Sequence, residues 1–245
     1  MCLDPDDPQK SLYDIDDEST IIQVGDWYHN PAIGLTNTYF ATNNGGGKEP
    51  VPDSGLINGR GRYKNGPASP RAVINVTPGK KHRFRLINNS AFGQFRFSVQ
   101  GHRMTIIEID GISHQPYTVD GLDIFAAQRY SFIVRQIFRL AVKRCADDFV
   151  SQLEANQPVA NYWVRAPMTV SGASDNRNRT SQIFAVASII DTSGWTLLVD
   201  ANDVFAVLHY AGAPNAEPTT SKGSFGGTLA EEYNLKVFEP SQESL

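Results

Sequence analysis

The sequence predicts an all-β protein built as a sandwich or barrel, and the run from 72 to 134 supplies most of the support for that prediction. Apolar and polar residues alternate there in short bursts: Phe95, Phe97 and Val99 are separated by Arg96 and Ser98. Side chains of a strand point to opposite faces with a period of two. Each burst therefore indicates a strand with one buried face.

Turn residues between these bursts are the second observation. Glycine supplies positive φ, and proline presets the first position of a turn. Strands that recur every roughly 8 to 12 residues between such turns are typical of a β-sandwich or barrel. The turn sequences are Thr77-Pro78-Gly79-Lys80, Gln100-Gly101, Asp110-Gly111 and Asp120-Gly121.

The rest of the chain divides around this block. The acidic residues 1–19 predict a linker into a first strand at 20–24, and 30–66 is a long loop rich in Gly, Asn and Pro. Strand patterns return at 161–165 and 204–210, and the Pro-, Gly- and Ser-rich residues 213–245 predict a linker or disordered tail. One domain over 20–212 is therefore expected.

Two blocks within this domain break the strand pattern. Residues 135–152 have apolar positions at helical spacing, namely Ile137, Leu140, Ala141, Cys145 and Phe149. Residues 179–198 are apolar without a clear period. The first block is expected to be helical.

Composition excludes several classes of function. A net charge of −4 argues against nucleic-acid binding, which needs clustered Lys and Arg. No apolar stretch reaches the roughly 18 residues of a membrane span. The first residues lack the basic and apolar regions of a signal peptide, so we expect either a cytosolic chain or a missing beginning. The two cysteines, Cys2 and Cys145, form neither a disulfide framework nor a CxxC metal site.

Candidate catalytic and metal-binding residues are few. The five histidines are well separated in sequence, and neither cysteine has a histidine beside it. The carboxylates of Asp17 and Asp26 have no catalytic partner at a spacing that the sequence reveals, so they are interpreted as turn and strand-end residues. The sequence therefore predicts no catalytic and no metal-binding residue in this chain. The histidines are His29, His82, His102, His114 and His209.

Three sequons make Asn75, Asn88 and Asn178 candidates for N-glycosylation if the protein is secreted. Asn75 lies within a predicted strand, which makes it the weakest of the three on sequence alone.

Several sequence words in series resemble the middle domain of fungal laccases, which are secreted multicopper oxidases of three cupredoxin (plastocyanin-like) domains. The resemblance covers most of 4–220. The words, in order, are LYDIDDESTII, DWYH, LINGRGRY, VINVTPGKKHRFRLINNS, GHRMTIIEIDG, IFAAQRYSF, ANQPVANYWVRAPM and VFAVLHYAGAPNAEPTT.

The resemblance implies a Greek-key cupredoxin-like sandwich or barrel, and an extracellular parent enzyme that oxidises phenols by one electron while reducing O2 to water. In that family copper is held by HxH, HPxHxH and HCH motifs of the first and third domains. Blue and trinuclear copper sites need clustered imidazoles and a thiolate. None of these motifs occurs here. The resemblance thus implies a scaffold that contains no copper, is inactive alone, and has the other two domains as partners.

The family's middle domain also forms one wall of the phenol pocket. Mapped onto this chain, the wall loops are 30–40, 91–93 and 167–168, which makes Ala91, Phe92, Pro167 and Met168 the candidate wall residues. Many laccases have a Cys-Asp pair where this chain has Ala91-Phe92. The interdomain disulfide of that Cys and the acid assistance of that Asp are therefore absent at this position. Phe92 either lines the pocket or packs within the barrel or against a neighbouring domain.

Two questions stay open at this point. The blocks 135–152 and 179–198 interrupt the family pattern, as translated introns or as genuine surface insertions, which loops tolerate at modest entropic cost. The chain as a whole is either a fragment of a laccase or a free-standing, non-catalytic β-sandwich that binds a ligand. Flanking copper motifs would favour the first reading.

Overall fold

A computed structural model describes residues 7–47, 49–63, 66–136, 159–170, 188–190, 196–198, 202–223 and 225–238. Within these residues, one α-helix, α1 (Ala32–Tyr39), and three short 3-10 helices at Lys10–Leu12, Glu18–Thr20 and Glu232–Asn234 accompany the strands. The strands are β1 (Ile21–Trp27), β2 (Ser54–Ile57), β3 (Arg62–Tyr63), β4 (Val73–Val76), β5 (His82–Asn88), β6 (Gln94–Val99), β7 (His102–Ile109), β8 (Ile112–Val119), β9 (Gly121–Ile124), β10 (Arg129–Gln136), β11 (Asn161–Arg165), β12 (Met168–Val170), β13 (Ser188–Ile190), β14 (Thr196–Leu198), β15 (Asn202–Asp203) and β16 (Phe205–Tyr210).

These strands form two main sheets, so the predicted all-β class is confirmed. The first sheet has the order β2-β1-β5-β10-β7-β8, and the second β13-β14-β12-β6-β11-β16-β4 with β9 beside β6. Most neighbours are antiparallel, whereas β1 with β5 and β16 with β4 are parallel. Strands β4 and β16 are neighbours in the second sheet but far apart in sequence, because the chain passes through strands of the first sheet between them.

The core lies between the two sheets, and aromatic rings join them. Phe84 of β5 and Phe132 of β10 come from the first sheet, with ring centroids 5.8 Å apart. Phe97 of β6 reaches across from the second sheet to 5.6 Å from Phe132. All three rings are fully buried, as the alternation in the sequence predicts for inward-facing positions.

Glycine is required at two positions for different physical reasons. The β7–β8 hairpin turns at Asp110-Gly111 with φ of 49° and 87°, the positive values that a type I′ turn requires. Gly121, read from sequence as a turn residue, lies instead in β9. A Cβ there would be 2.4 Å from Cε2 of Phe225, so packing against that ring requires the glycine.

The described part of the predicted linker 1–19, residues 7–19, runs along β5. The Arg83 guanidinium lies 2.7 Å from the Asp7 carboxylate, and the Arg83 N–H donates to the Ile15 carbonyl at 2.9 Å. Asp16 forms an ion pair with Arg85 at 2.7 Å. These contacts fix the approach to β1 against the outer face of the first sheet.

The tail also contacts the domain over its described part, 213–223 and 225–238. The Trp163 indole N–H donates to the Thr220 carbonyl at 2.9 Å. Further along, the Gln115 N–H donates to the Lys236 carbonyl at 2.7 Å, so the tail lies beside β8 at the edge of the first sheet. Whether the same residues link to another domain stays a prediction.

The structure agrees only in part with the predictions for the segments of irregular sequence. Helix α1 lies where a long loop was expected, and none of its side chains is buried. Of the predicted helical insertion, only 135–136 is described, at the end of β10. Residues 188–190 and 196–198 of the second block pair as β13 and β14, next to β12. Of the helices in the described ranges, none is long and apolar enough to cross a membrane.

Candidate functional site

Three loops that are distant in sequence meet at one end of the sandwich. They follow β1, connect β5 to β6, and connect β11 to β12. The sequence predicted wall loops on these three segments, with the candidate wall residues on the second and third. One carboxylate joins the first two loops. The sequence alone revealed no catalytic partner for it.

That side chain is Asp26, near the end of β1. Its Oδ1 accepts the Ala91 N–H at 3.1 Å, and its Oδ2 accepts the N–H groups of Phe92 and Gly93 at 2.8 Å each. Hydrogen bonds to an ionised carboxylate are stronger than bonds between neutral groups. In return the Asp26 N–H donates to Ser90 Oγ at 3.0 Å. The carboxylate therefore fixes the loop that presents Phe92.

Asn88 supports the same loop from below. Its side chain is 1% exposed. The amide Nδ2 donates to the carbonyls of Gly93 at 2.9 Å and Ile124 at 3.1 Å, while Oδ1 accepts the Ser90 N–H at 3.0 Å. All the hydrogen-bonding groups of this amide are thus used inside the protein, where an unsatisfied polar group would be costly.

The third loop meets the second at Gly93. A Cβ at this position would lie 3.0 Å from Met168 Sδ and 3.2 Å from Asp26 Cβ, so any side chain here would crowd both neighbours. Next to it, the Arg96 N–H donates to the Pro167 carbonyl at 3.0 Å.

The four predicted wall residues differ in exposure. Ala91 and Phe92 are exposed, Pro167 is half-buried, and Met168 is a core residue with no exposed surface. Met168 therefore packs behind the loops, whereas Phe92, 40% exposed, is available to contact another molecule or domain.

Large apolar side chains are exposed around this end of the domain. Trp27 follows Asp26 directly and is 52% exposed, and α1, a few residues later, exposes Ile33 and Phe40. Apolar patches of this kind, when contiguous and rimmed by polar groups, mark sites of interaction. Sequence reasoning placed the loop 30–40 here but did not single out Trp27, although an aromatic residue beside an acidic strand end was a visible signal.

Polar groups rim the same region. Burial, reinforced by the negative charges of Asp26, Asp53 and Glu49, raises the pKa of Tyr28 to about 12, so its phenol stays neutral. The His29 N–H donates to Asp53 Oδ2 at 2.8 Å, and the His29 ring lies edge-on to Tyr63 at 4.5 Å between centroids.

Two of the histidines are hydrogen-bonded within the fold. His102 Nδ1 lies 2.7 Å from the Gln100 carbonyl, its Nε2 lies 2.8 Å from Tyr210 Oη, and burial lowers its pKa to about 4. His82 Nε2 accepts the Thr77 N–H at 3.2 Å. Within the described residues, no three His, Cys, Asp or Glu side chains form a group that could hold a metal ion.

Of the remaining sequons, only that of Asn75 lies within the described residues. Asn75 is exposed on β4, and Asn178 lies outside the described residues.

Comparison with known proteins identifies the family. Residues 18–136 match the multicopper oxidase family model. Laccase-4 of Thanatephorus cucumeris is 52% identical over 235 residues, which cover 96% of this chain and 37% of that protein. Laccase-2 of Agaricus bisporus is 42% identical, with 90% and 34% covered, and Laccase-3 of Trametes villosa is 40% identical, with 100% and 40% covered. The chain thus spans a little more than a third of these relatives.

Solved structures of the same family share the fold. The crystal structure of Fet3p, a multicopper oxidase that functions in iron import, matches with a TM-score of 0.62 at 21% identity, over 96% of this chain and 35% of that chain. The laccase from Botrytis aclada matches with a TM-score of 0.52 at 23% identity, over 83% and 31%. The family-model match and the laccase relatives show that the chain belongs to the multicopper oxidase family, and these structures show that it has the cupredoxin-like fold.

Proposed function

We propose that this chain is the middle, copper-free domain of a laccase-type oxidase, and that its three joined loops form one wall of the phenol pocket. The parent enzyme would oxidise phenols by one electron and reduce O2 to water outside the cell. Copper, bound by the first and third domains, would supply the redox chemistry. This chain's own residues would position the substrate and hold the two partner domains.

The observation that supports this proposal most strongly is the geometry around Asp26. A carboxylate that accepts three consecutive backbone N–H groups holds the Ala91–Gly93 loop rigid, and rigid loops position a substrate with little loss of entropy. Phe92 then presents a fixed aromatic face, which suits stacking on a phenol ring.

The function of the exposed end can be tested in the full-length protein with Phe92→Ala. An aromatic contact contributes about 0.5 to 1.5 kcal/mol, so we expect KM for a methoxyphenol to rise by about 2- to 12-fold with little change in kcat. Tyr233→Ala is the matched control, because Tyr233 is 81% exposed and lies on the tail near β8. An unchanged KM would overturn the proposal. A loss of thermal stability without a change in KM would show instead that Phe92 packs against a neighbouring domain.

We further propose the domain boundaries 20–212, with segments 1–19 and 213–245 joining the outer domains, and insertions at 135–152 and 179–198. Sequencing of the full-length transcript tests this. Messenger RNA that contains both blocks would refute their origin as introns and favour genuine insertions. Copper motifs on both sides of these residues would support the middle position.

A further inference from the structure

Strand β4 forms a free edge of the second sheet within the described residues. It pairs on one side with β16, in parallel, with Asn75 opposite His209. No described strand lies on its other side. Unpaired edges are templates for association with another chain, so proteins normally protect them.

The hydrogen bonds between β16 and β4 show which backbone groups of β4 face outward. The Val207 N–H donates to the Ala72 carbonyl, and the Ala211 N–H donates to the Val76 carbonyl, both at 2.9 Å. In a parallel ladder, alternate residues of a strand bond to the same neighbour. The N–H and C=O groups of Asn75, one residue before Val76, therefore point away from β16.

The other sheet shows how this protein protects an edge. Its edge strand β8 is covered by the tail: the Phe238 N–H donates to the Ser113 carbonyl at 2.9 Å, and Val237 pairs with His114. The 3-10 helix Glu18–Thr20 lies near β4, but within the described residues no strand and no backbone hydrogen bond covers its outer edge. What it has is the sequon Asn75-Val76-Thr77, with Asn75 and Thr77 both exposed.

We propose that Asn75 carries an N-linked glycan and that this glycan shields the free edge of β4. The inference rests on the proposed secretion of the parent. The Asn75 amide nitrogen would form a bond to C1 of a sugar donated by a lipid-diphosphate-linked oligosaccharide. The sugar–phosphate bond breaks, the lipid diphosphate leaves, and the amide loses one proton.

Asn88 is excluded as a second site by the same reasoning. A glycan would replace one of the two amide hydrogens that bond to Gly93 and Ile124, at a side chain that is 1% exposed. The folded, secreted protein therefore carries the modification at Asn75 and leaves Asn88 free. The exposure of the two side chains thus reverses the order that the sequence alone suggested.

The first test is glycopeptide mass spectrometry of the full-length protein, secreted from yeast behind a yeast leader so that glycosylation does not depend on the native route. After enzymatic deglycosylation in heavy-oxygen water, the Asn75 peptide is expected to carry the label and the Asn88 peptide none. An unlabelled Asn75 peptide, or a labelled Asn88 peptide, would overturn the inference. Phenol oxidation by the same preparation reports separately on the proposed function.

The second test separates the glycan from the side chain. Thr77→Ala removes the sequon while leaving Asn75 in place, and Thr77→Ser is the matched control that keeps it. Sedimentation velocity is expected to show a larger dimer fraction for Thr77→Ala and for Asn75→Gln, but not for Thr77→Ser. Adding Val73→Lys to Thr77→Ala is expected to restore the monomer, because an edge lysine blocks strand pairing. Monomeric Thr77→Ala protein would refute the shielding role.

Discussion

Replacing Asp26 by Asn tests whether one carboxylate fixes the exposed loop. The amide keeps the shape of the side chain but has a single acceptor oxygen. If that oxygen takes the place of Oδ2, the bonds to Phe92 and Gly93 remain, and the new NH2 group faces the Ala91 N–H. In either orientation of the amide, at least one hydrogen bond to a charged acceptor is lost. The amide NH2 group then faces a backbone N–H, and two donors repel each other.

The size of the effect follows from these bonds. A hydrogen bond to a charged group contributes about 1.5 to 3 kcal/mol, and partial exposure of Asp26 favours the lower part of that range. A loss of about 2 kcal/mol lowers Tm by roughly 4 to 8 °C in a domain of this size. Since the loop presents Phe92, KM for a phenol is expected to rise in the full-length protein as well.

Thermal unfolding of the full-length Asp26→Asn variant, followed by circular dichroism, measures this loss directly. Asp14→Asn is the matched control, because the Asp14 carboxylate accepts a single backbone N–H, from Lys81, at the surface. We expect a much smaller shift for it. Equal Tm values for Asp26→Asn and the unmodified protein would refute the reasoning that Asp26 holds the loop.

Two further predictions concern the core and the tail. Because burial lowers the pKa of His102 to about 4, the unfolded chain takes up a proton first as the pH falls. Stability is therefore complete above about pH 6.5 and falls by about 2 kcal/mol by pH 5. Urea unfolding at both pH values checks this, and His102→Gln is expected to reduce the slope. Gly121→Ala should displace Phe225 and expose the tail to protease, whereas Gly226→Ala, with open space around it, should not; equal cleavage would contradict the packing.

Much of the fold could be predicted because strands and tight turns have sequence patterns only a few residues long. Phe95, Phe97 and Val99 alternate with polar residues, and Asp110-Gly111 has the residue types that a tight hairpin needs, so strands and turns are visible over a few positions. Helix α1 was missed because it has no side-chain cap and buries none of its residues, so its sequence shows no amphipathic face.

The candidate site was predictable only in outline. The loop containing Phe92 came from the family resemblance, but the function of Asp26 depends on backbone N–H groups about 65 residues away, which no side-chain pattern reveals. Met168 was named as a wall residue on its position in sequence, and the structure places it in the core. Likewise, a three-residue sequon does not report burial, which is what separates Asn75 from Asn88.

Oxygen uptake with a methoxyphenol and copper tests the central claim most directly, when the 245-residue chain is compared with the full-length protein. We expect the full-length protein to consume oxygen, and the chain alone to consume none and to show no blue thiolate–copper absorbance. A blue, oxygen-consuming chain, or a full-length protein that leaves the phenol unoxidised, would contradict the assignment of this chain as a pocket wall of a laccase-type oxidase.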